Sequence, residues 1–587
     1  MRAIRLLALV AMVACVAIAN AQTGSGRVTL IHTGDFHGHL IPRPNLRSDA
    51  QGNSVEGGLA RVYTVIKDIR RQDPDALLIH TGDTIQGSAE VLFTRGQAIV
   101  EILNTFRIDA FAPGNWEFVY GTERFLELFA VDRPRAPWNA IAANLHYATA
   151  AQEPANPYAD KAGQRVLPPY VIKYVGGVKV GILGLTTDRG PQVVGRAVTK
   201  GFYFMKNGTE VDAAAAAMVK ELRAVHKVDV VVMASEMGLA NNVRLAEKVA
   251  GIDVVLSSDM HEETLEPVVT AGGTLIVEEG QDGTRLGQIT LTVKDGKVAK
   301  WTWKGHDITD KIKADDKVAA LVKKARASFV AGLRFASHTN PFNGTRLKRP
   351  IDTVVGHTRV GLHRSNFARE AMPAAIEGSA HDFLTDAFKA QTGADIGAIR
   401  GFRYGTHVRP GPILLEDLYH FMPIGAQIAK GTIKGQALKM QIEGAANGSL
   451  APNVADWTGG WLFNFSGVTM DFDPYQGTGQ RASNIKVGGQ ALDPAKDYSY
   501  ASYWYGADPS LINVLPATDI VVLKDMDGSA LDGTEVVVNY LASLPDKTAD
   551  VQLNRISLKS RATGAPLQMP PYQFGFPEVQ PLRGAKP

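Results

Sequence analysis

An α/β domain followed by an α+β domain is the architecture that the sequence predicts, and three observations predict it. Short β-branched apolar runs alternate with helical stretches from about residue 27 to residue 300, the pattern of a layered sheet flanked by helices. After about residue 350 the texture changes, and helix-prone segments mix with turn-rich strands. The chain's 587 residues also exceed the roughly 250–300 at which a single hydrophobic core stops growing, so two cores are expected.

The elements follow in chain order. Arg2 and Arg5 precede an apolar run over residues 6–19, and Ala19-Asn20-Ala21 has the small-x-small form that signal peptidase cuts. Residues 1–21 therefore read as a signal peptide, the mature chain starts near Gln22, and the protein is periplasmic or secreted. The run is shorter than the roughly 20 apolar residues that span a bilayer. It continues past Cys15, the only cysteine, to the cleavage site; acylation of Cys15 is the alternative reading of Met12-Val13-Ala14-Cys15. The first domain is expected over residues 27–308. Its runs at 28–31, 76–79, 178–183, 228–232 and 254–256 are apolar on both sides of the pleat. That predicts strands covered on both faces by helices such as 210–225. A charged, helix-prone stretch at 310–335 predicts a linker helix within residues 309–345. The second domain is expected over 346–562, with a helix at 380–391 and a strand within 459–465. Residues 563–587, rich in Pro, Gly and Gln, read as an extended tail.

Composition narrows the function classes. Apolar residues make up 45% and charged residues 21%, and 62 Lys and Arg against 59 Asp and Glu leave a net charge of only +3. The basic residues are scattered rather than gathered in a stripe, which argues against a nucleic-acid polymer as partner.

Each apolar run of the first domain ends in a polar cluster. These are Gly34-Asp35-Phe36-His37, Gly82-Asp83, Gly114-Asn115-Trp116-Glu117, Ser235-Glu236 and Ser258-Asp259-Met260-His261. In open α/β sheets, sites form in the crevice beyond the carboxyl ends of the strands. The two-residue spacing of Asp35 and His37, and of Asp259 and His261, can aim both side chains the same way. Any one cluster alone is more often a turn or a helix cap than a ligand. Their recurrence after successive strands points to a shared metal site, and carboxylate with imidazole suits Mn, Fe, Zn or Mg.

The order D-x-H, G-D, G-N-x-E, a later strand-end ligand and x-x-H resembles the calcineurin-like metallophosphoesterases. The whole chain, with its second domain, resembles the 5′-nucleotidase family. The stretch from Gly82 through Ser88, Thr94-Arg95-Gly96-Gln97 and Asn115-Trp116-Glu117-Phe118 is similar to the SoxB-type thiosulfohydrolase branch. The resemblance implies a four-layer α/β/β/α metallophosphoesterase domain and an α+β 5′-nucleotidase-like substrate domain. It implies two divalent metal ions, with Asp35, His37, Asp83 and His261 on the first and Asp83, Asn115, Glu236 and Asp259 on the second. Asp83 then bridges the pair. The implied reaction is hydrolysis of a nucleotide or other small phosphate ester by a metal-bridging hydroxide, stabilised by the ion pair.

Three departures from the family pattern matter. Trp116 stands where a histidine usually acts on the leaving group or transition state, and an indole exchanges no proton there; the thiosulfohydrolase branch also carries tryptophan at this place. Glu236 and Asp259 replace what are typically two histidines, which makes the second ion's surroundings oxygen-rich and favours Mn or Mg over Zn. With two divalent ions the four carboxylates leave the bare site near neutral. In the second domain, Ile399-Arg400-Gly401-Phe402-Arg403-Tyr404-Gly405 keeps only Arg403 of the nucleotidase motif. Arg400 and Arg403 are candidates for holding an anion, and Trp504 and Tyr505 for an aromatic wall beside the substrate. The alternatives are release of sulfate from a carrier protein's cysteine, with that sulfur-carrier protein as partner, and a catalytically weakened binding protein.

Overall fold

The computed structural model describes residues 24–44, 46, 55–261, 263–264, 266–363, 377–400, 407–449, 463–473 and 476–558. Residues 1–21, read as a signal peptide and containing Cys15, the tail from residue 563, and Arg403 lie outside these residues.

The N-terminal region is built on two sheets laid face to face. The first has the order Lys297–Asp307, Arg285–Lys294, Gly26–Gly34, Leu77–Thr81, Ala110–Phe111, its last three strands parallel. The second runs Val268–Val269, Leu275–Glu278, Val254–Ser257, Val230–Ser235, Val178–Leu185, Tyr170–Val175, with its four central strands parallel. Alternation along each strand decides what lies between them. Val28 and Leu30 of the first sheet meet Val180, Ile182, Val230, Val232 and Val254 of the second in one buried cluster. The opposite residues point outward. Ile31 and Leu78 pack under the helix Leu59–Gln72 through Leu59, Val62 and Ile66. Val231 and Met233 pack under Thr209–Ala224 and Leu239–Lys248.

The layers are therefore helix, sheet, sheet, helix, as the resemblance implies. Apolarity on both sides of the pleat predicted helices on both faces; each sheet instead has helices on one face and the other sheet on its second. Residue type reports that a face is covered, not by what.

The charged stretch after residue 309 forms a shorter helix than expected, Asp316–Arg326, whose start is fixed by Asp315 accepting from the Val318 N–H at 3.0 Å. Beyond it the chain folds back on itself, stacking Phe329 on His338 with ring centroids 4.0 Å apart.

In the C-terminal region a five-stranded sheet has the order Phe463–Ser466, Ile396–Arg400, Asp497–Trp504, Gln427–Lys434, Thr518–Val522. The helix Ser379–Thr392 packs on it through Phe388 and Leu384. The two regions meet at a buried charged seam. Arg43 pairs with Glu416 at 3.2 Å and with Asp417 on the helix Leu415–Phe421. Arg326 of the linker helix joins Glu90 at 2.9 Å to Glu416 at 2.5 Å. The two arginines and three carboxylates of this seam are each paired with a partner of opposite sign, which is what makes their burial tolerable. No described helix is long and apolar enough to cross a membrane.

One buried pair makes stability depend on pH. His32 Nδ1 lies 3.3 Å from Glu279 Oε1. Burial lowers His32 to about 3 and raises Glu279 to about 8, so at neutral pH both are uncharged and Glu279 is protonated. A raised acid binds its proton more tightly folded than unfolded. Stability therefore falls as pH rises from the unfolded value near 4.5 through about 8. Glu279→Gln keeps the shape and removes the titration. It is expected to be more stable than the parent at pH 8.5, by on the order of 2–4 kcal/mol, and to match it near pH 4.5. Parallel melting curves that keep the same spacing across this range would contradict the assignment.

Candidate metal centre

The polar clusters at the strand ends converge. Asp35, His37 and His261 form one group of buried donor atoms, and Asp35, Asp83 and Glu236 a second; within each group the atoms lie within 4.8 Å of one another. In the first group His37 Nε2 is 2.9 Å from His261 Nε2, and Asp35 Oδ1 is 3.6 and 3.7 Å from the two nitrogens. Bonds of about 2.0–2.2 Å place neighbouring ligands about 3 Å apart around an ion, so the triangle has the size of a coordination face. The residue common to both groups is Asp35, whereas the resemblance gave the bridge to Asp83. Asp83 Oδ2 is 4.0 Å from His37 Nε2.

The backbone is bent to make this possible. Asp35, His37, Asp83, Asp259 and His261 all have positive φ, from 42° to 98°. Non-glycine residues rarely adopt that region, and such outliers collect at functional sites. The loops are held together by main-chain bonds, with Asp35 N–H donating to Gly82 O at 3.0 Å and His37 N–H to Asp83 O at 2.9 Å. Two glycines are needed for close approach: a Cβ on Gly87 would meet His37 O at 1.6 Å, and one on Gly114 would meet Asp83 Oδ1 at 2.2 Å.

Supporting residues orient the donors. Gln86 Oε1 accepts from His37 Nδ1 at 3.0 Å, which directs the lone pair of Nε2 into the site. Glu117 is not aimed at the cluster. Its carboxylate accepts from the N–H groups of Asp83, Thr84 and Gly114 at 2.9, 2.8 and 2.7 Å, tying the loop after Leu77–Thr81 to the loop after Ala110–Phe111. The motif G-N-x-E contained this residue, but nothing in the spacing separates a ligand from a brace.

The donor set fits divalent cations. Burial first, and then the neighbouring carboxylates, hold Asp83 and Glu236 well above the usual carboxylate range; a cation removes that cost. Asn115 Oδ1 and Glu236 Oε2 are buried without a hydrogen-bond partner among the described residues, as atoms reserved for a ligand would be. Glu236 Oε1 accepts from Ser258 Oγ at 2.9 Å.

Asp259 belongs to neither group, although its backbone N–H donates to Asp35 Oδ2 at 3.2 Å. Its Oδ1 accepts from Asn115 Nδ2 at 3.1 Å, and its Oδ2 contacts the guanidinium of Arg189. Arg189 is absent from the sequence-based candidates. It lies in the loop after Val178–Leu185, a strand end with no motif around it. Trp116 is buried at the start of the 3₁₀ turn Trp116–Phe118 and donates its backbone N–H to Asp83 Oδ1 at 2.9 Å.

The second-domain candidates are placed in part. Trp504 ends its strand half-buried, donating Nε1–H to Pro509 O at 3.2 Å, and Tyr505 follows, also half-buried. The parallel pairing of Ile396 with Tyr500 and Gly397 with Ala501 carries Arg400 to the same end of the sheet as Trp504.

A helix-sheet-sheet-helix sandwich with buried carboxylates and imidazoles gathered at its strand ends defines a metallophosphoesterase. Residues 28–263 match the family model of the calcineurin-like phosphoesterases, and residues 354–509 that of the 5′-nucleotidase C-terminal domain. The chain belongs to the calcineurin-like phosphoesterases that carry this second domain, hydrolases acting on phosphate esters. It is 25% identical over 487 residues to a snake venom 5′-nucleotidase of Naja atra, covering 79% of this chain and 85% of that one. It is 22% identical over 522 residues to the protein UshA of Yersinia enterocolitica, covering 82% and 85%. Two solved structures share the fold, each with a TM-score of 0.72. The sulfate thiohydrolase SoxB of Thermus thermophilus is 20% identical, with 93% of this chain and 98% of that one covered. A 5′-nucleotidase precursor of the same species is 21% identical, with 92% and 100% covered.

Proposed function

We propose that the chain is a 5′-nucleotidase-like hydrolase of small phosphate esters that works with two divalent ions, and that it is exported by the segment 1–21. The observation that carries the reading is the convergence of two buried donor groups that share Asp35. His37 and His261 with Asp35 would hold one ion; Asp83, Glu236 and Asn115 with Asp35 would hold the other. When bound, the pair supplies Lewis-acid stabilisation of the phosphoryl oxygens and activates the attacking water. The protein's own contribution is placement. Gln86 fixes the tautomer of His37, and Glu117 fixes the loop of Asp83. Trp116 offers no proton to the leaving group, which favours esters whose leaving oxygen needs none. On this reading Arg400 and Arg403 would serve the anion of the substrate, and Trp504 and Tyr505 the remainder. Four oxygen-bearing donors in the second group favour Mn over Zn.

The test is a panel of 5′-nucleotides and p-nitrophenyl phosphate with the mature protein in Mn. Turnover is expected to disappear in excess chelator and to return with added Mn; full activity in chelator would refute the metal mechanism. Trp116 also favours a second reading, hydrolysis of a sulfonate from a carrier cysteine, whose thiolate leaves without protonation. Turnover of an S-sulfonated peptide in preference to every phosphate ester would establish it instead.

A further inference from the structure

We propose that Arg189 binds the anionic group of the substrate beside the second ion position, and that Asp259 is its positioning partner rather than an ion ligand. The inference rests on the phosphoesterase reading given above.

Both oxygens of the buried Asp259 carboxylate are committed to protein donors, Oδ1 to Asn115 Nδ2 at 3.1 Å and Oδ2 to Arg189 Nη2. Neither convergent group includes Asp259. Asn115 Nδ2 also reaches Asp83 Oδ2 at 3.3 Å, so a continuous run of contacts leads from Asp83 through Asn115 and Asp259 to the guanidinium. Arg189 is thus docked at the edge of the second donor group.

The rest of the guanidinium is available. Beyond Asp259, Nη2 touches only Met260 Sδ, at 3.0 Å. Nε and Nη1 have no partner among the described residues, and the side chain remains 21% exposed while its partner is 1% exposed. A planar fork fixed on one edge by a buried carboxylate and open on the other is the arrangement that accepts a tetrahedral oxyanion. Holding the fork on Asp259 also removes the rotamer entropy that a free arginine loses on binding.

The charge balance changes with it. The carboxylates of Asp35, Asp83, Glu236 and Asp259 balance two divalent ions, and Arg189 adds one positive charge at the edge of the site. A family centre that has exchanged imidazoles for carboxylates thereby regains attraction for a phosphate dianion.

The experiment compares the Mn-loaded parent with Arg189→Met, Arg189→Lys and Asp259→Asn. Bound Mn is counted by elemental analysis, inorganic phosphate affinity is measured by calorimetry, and KM and kcat are measured with p-nitrophenyl phosphate. Arg189→Met should keep the parent's Mn content, weaken phosphate by about 10- to 100-fold and raise KM more than it lowers kcat. Arg189→Lys should recover only part of the affinity, since an ammonium lacks the fork. Asp259→Asn should keep its Mn and weaken phosphate with it. Loss of one Mn per chain in Asp259→Asn would make Asp259 a ligand and overturn the proposal. So would unchanged phosphate affinity in Arg189→Met, which would reduce the contact to a structural ion pair. If the parent binds phosphate but turns over no ester, the phosphoesterase reading fails while the calorimetry still decides Arg189.

Discussion

Asp35→Asn is expected to empty the centre of both ions and to lower kcat/KM by on the order of 10³-fold or more, because one carboxylate serves both donor groups. Asparagine is the informative replacement. Asp35 sits at φ 48°, a conformation that asparagine also tolerates, so the variant removes charge without disturbing the loop. Elemental analysis after Mn loading and dialysis reads the ions directly. A variant that keeps the parent's Mn and loses less than tenfold in turnover would show that Asp35 is dispensable and that the bridge lies elsewhere, with Asp83 the next residue to test. His261→Ala, by contrast, removes a member of one group only and should spare the ion held by Asp35, Asp83 and Glu236.

The second large effect is structural. Glu117 is 1% exposed and accepts three backbone N–H groups. Alanine leaves all three buried without a partner, at a cost of about 3–5 kcal/mol in stability. Because two of them belong to Asp83 and Thr84, the loop that carries Asp83 also loses its anchor. Mn affinity should fall by about 10- to 100-fold, as when other supporting groups of metal centres are removed. Glu117→Gln keeps one carbonyl oxygen but turns an NH2 group toward the remaining N–H donors, and should fall between parent and alanine in both measurements. Denaturant unfolding with and without Mn separates the two losses. If Glu117→Ala unfolded like the parent, the carboxylate would be shown not to brace the loops.

Much of the centre was legible because its residues obey a rule of position. Asp35, His37, Asp83, Asn115, Glu236 and His261 each follow an apolar strand, and strand ends of parallel sheets gather at one edge. What chemistry alone could not decide was the use of each residue. Glu117 and Asn115 stand two residues apart in one motif, and only the hydrogen bonds show that Glu117 holds N–H groups while an oxygen of Asn115 has none. Asp259 resembles Asp35 in its D-x-H context, and it is a distant arginine that distinguishes them. Arg189 itself was invisible, since a lone arginine after Thr186-Thr187-Asp188 has the signature of any surface turn. In the fold, strand positions were readable from β-branched runs, whereas the second sheet was not, because an apolar face looks the same under a helix as under another sheet. The linker helix is shorter than its sequence suggests for a related reason: Ala327-Ser328-Phe329-Val330-Ala331 contains no Gly or Pro to end it, yet the chain turns there to bury Phe329, a tertiary contact without local warning.

The donors of the centre span the chain from Asp35 to His261, and their loops exist only once both sheets have closed. An unfolded chain offers the ions no comparable pocket, so loading acts on the native state alone and shifts the unfolding equilibrium by mass action. At 100 times the dissociation constant each site would contribute about 2.7 kcal/mol. The melting temperature in a titration of Mn is thus a calorimetric count of the centre, readable with no substrate in hand.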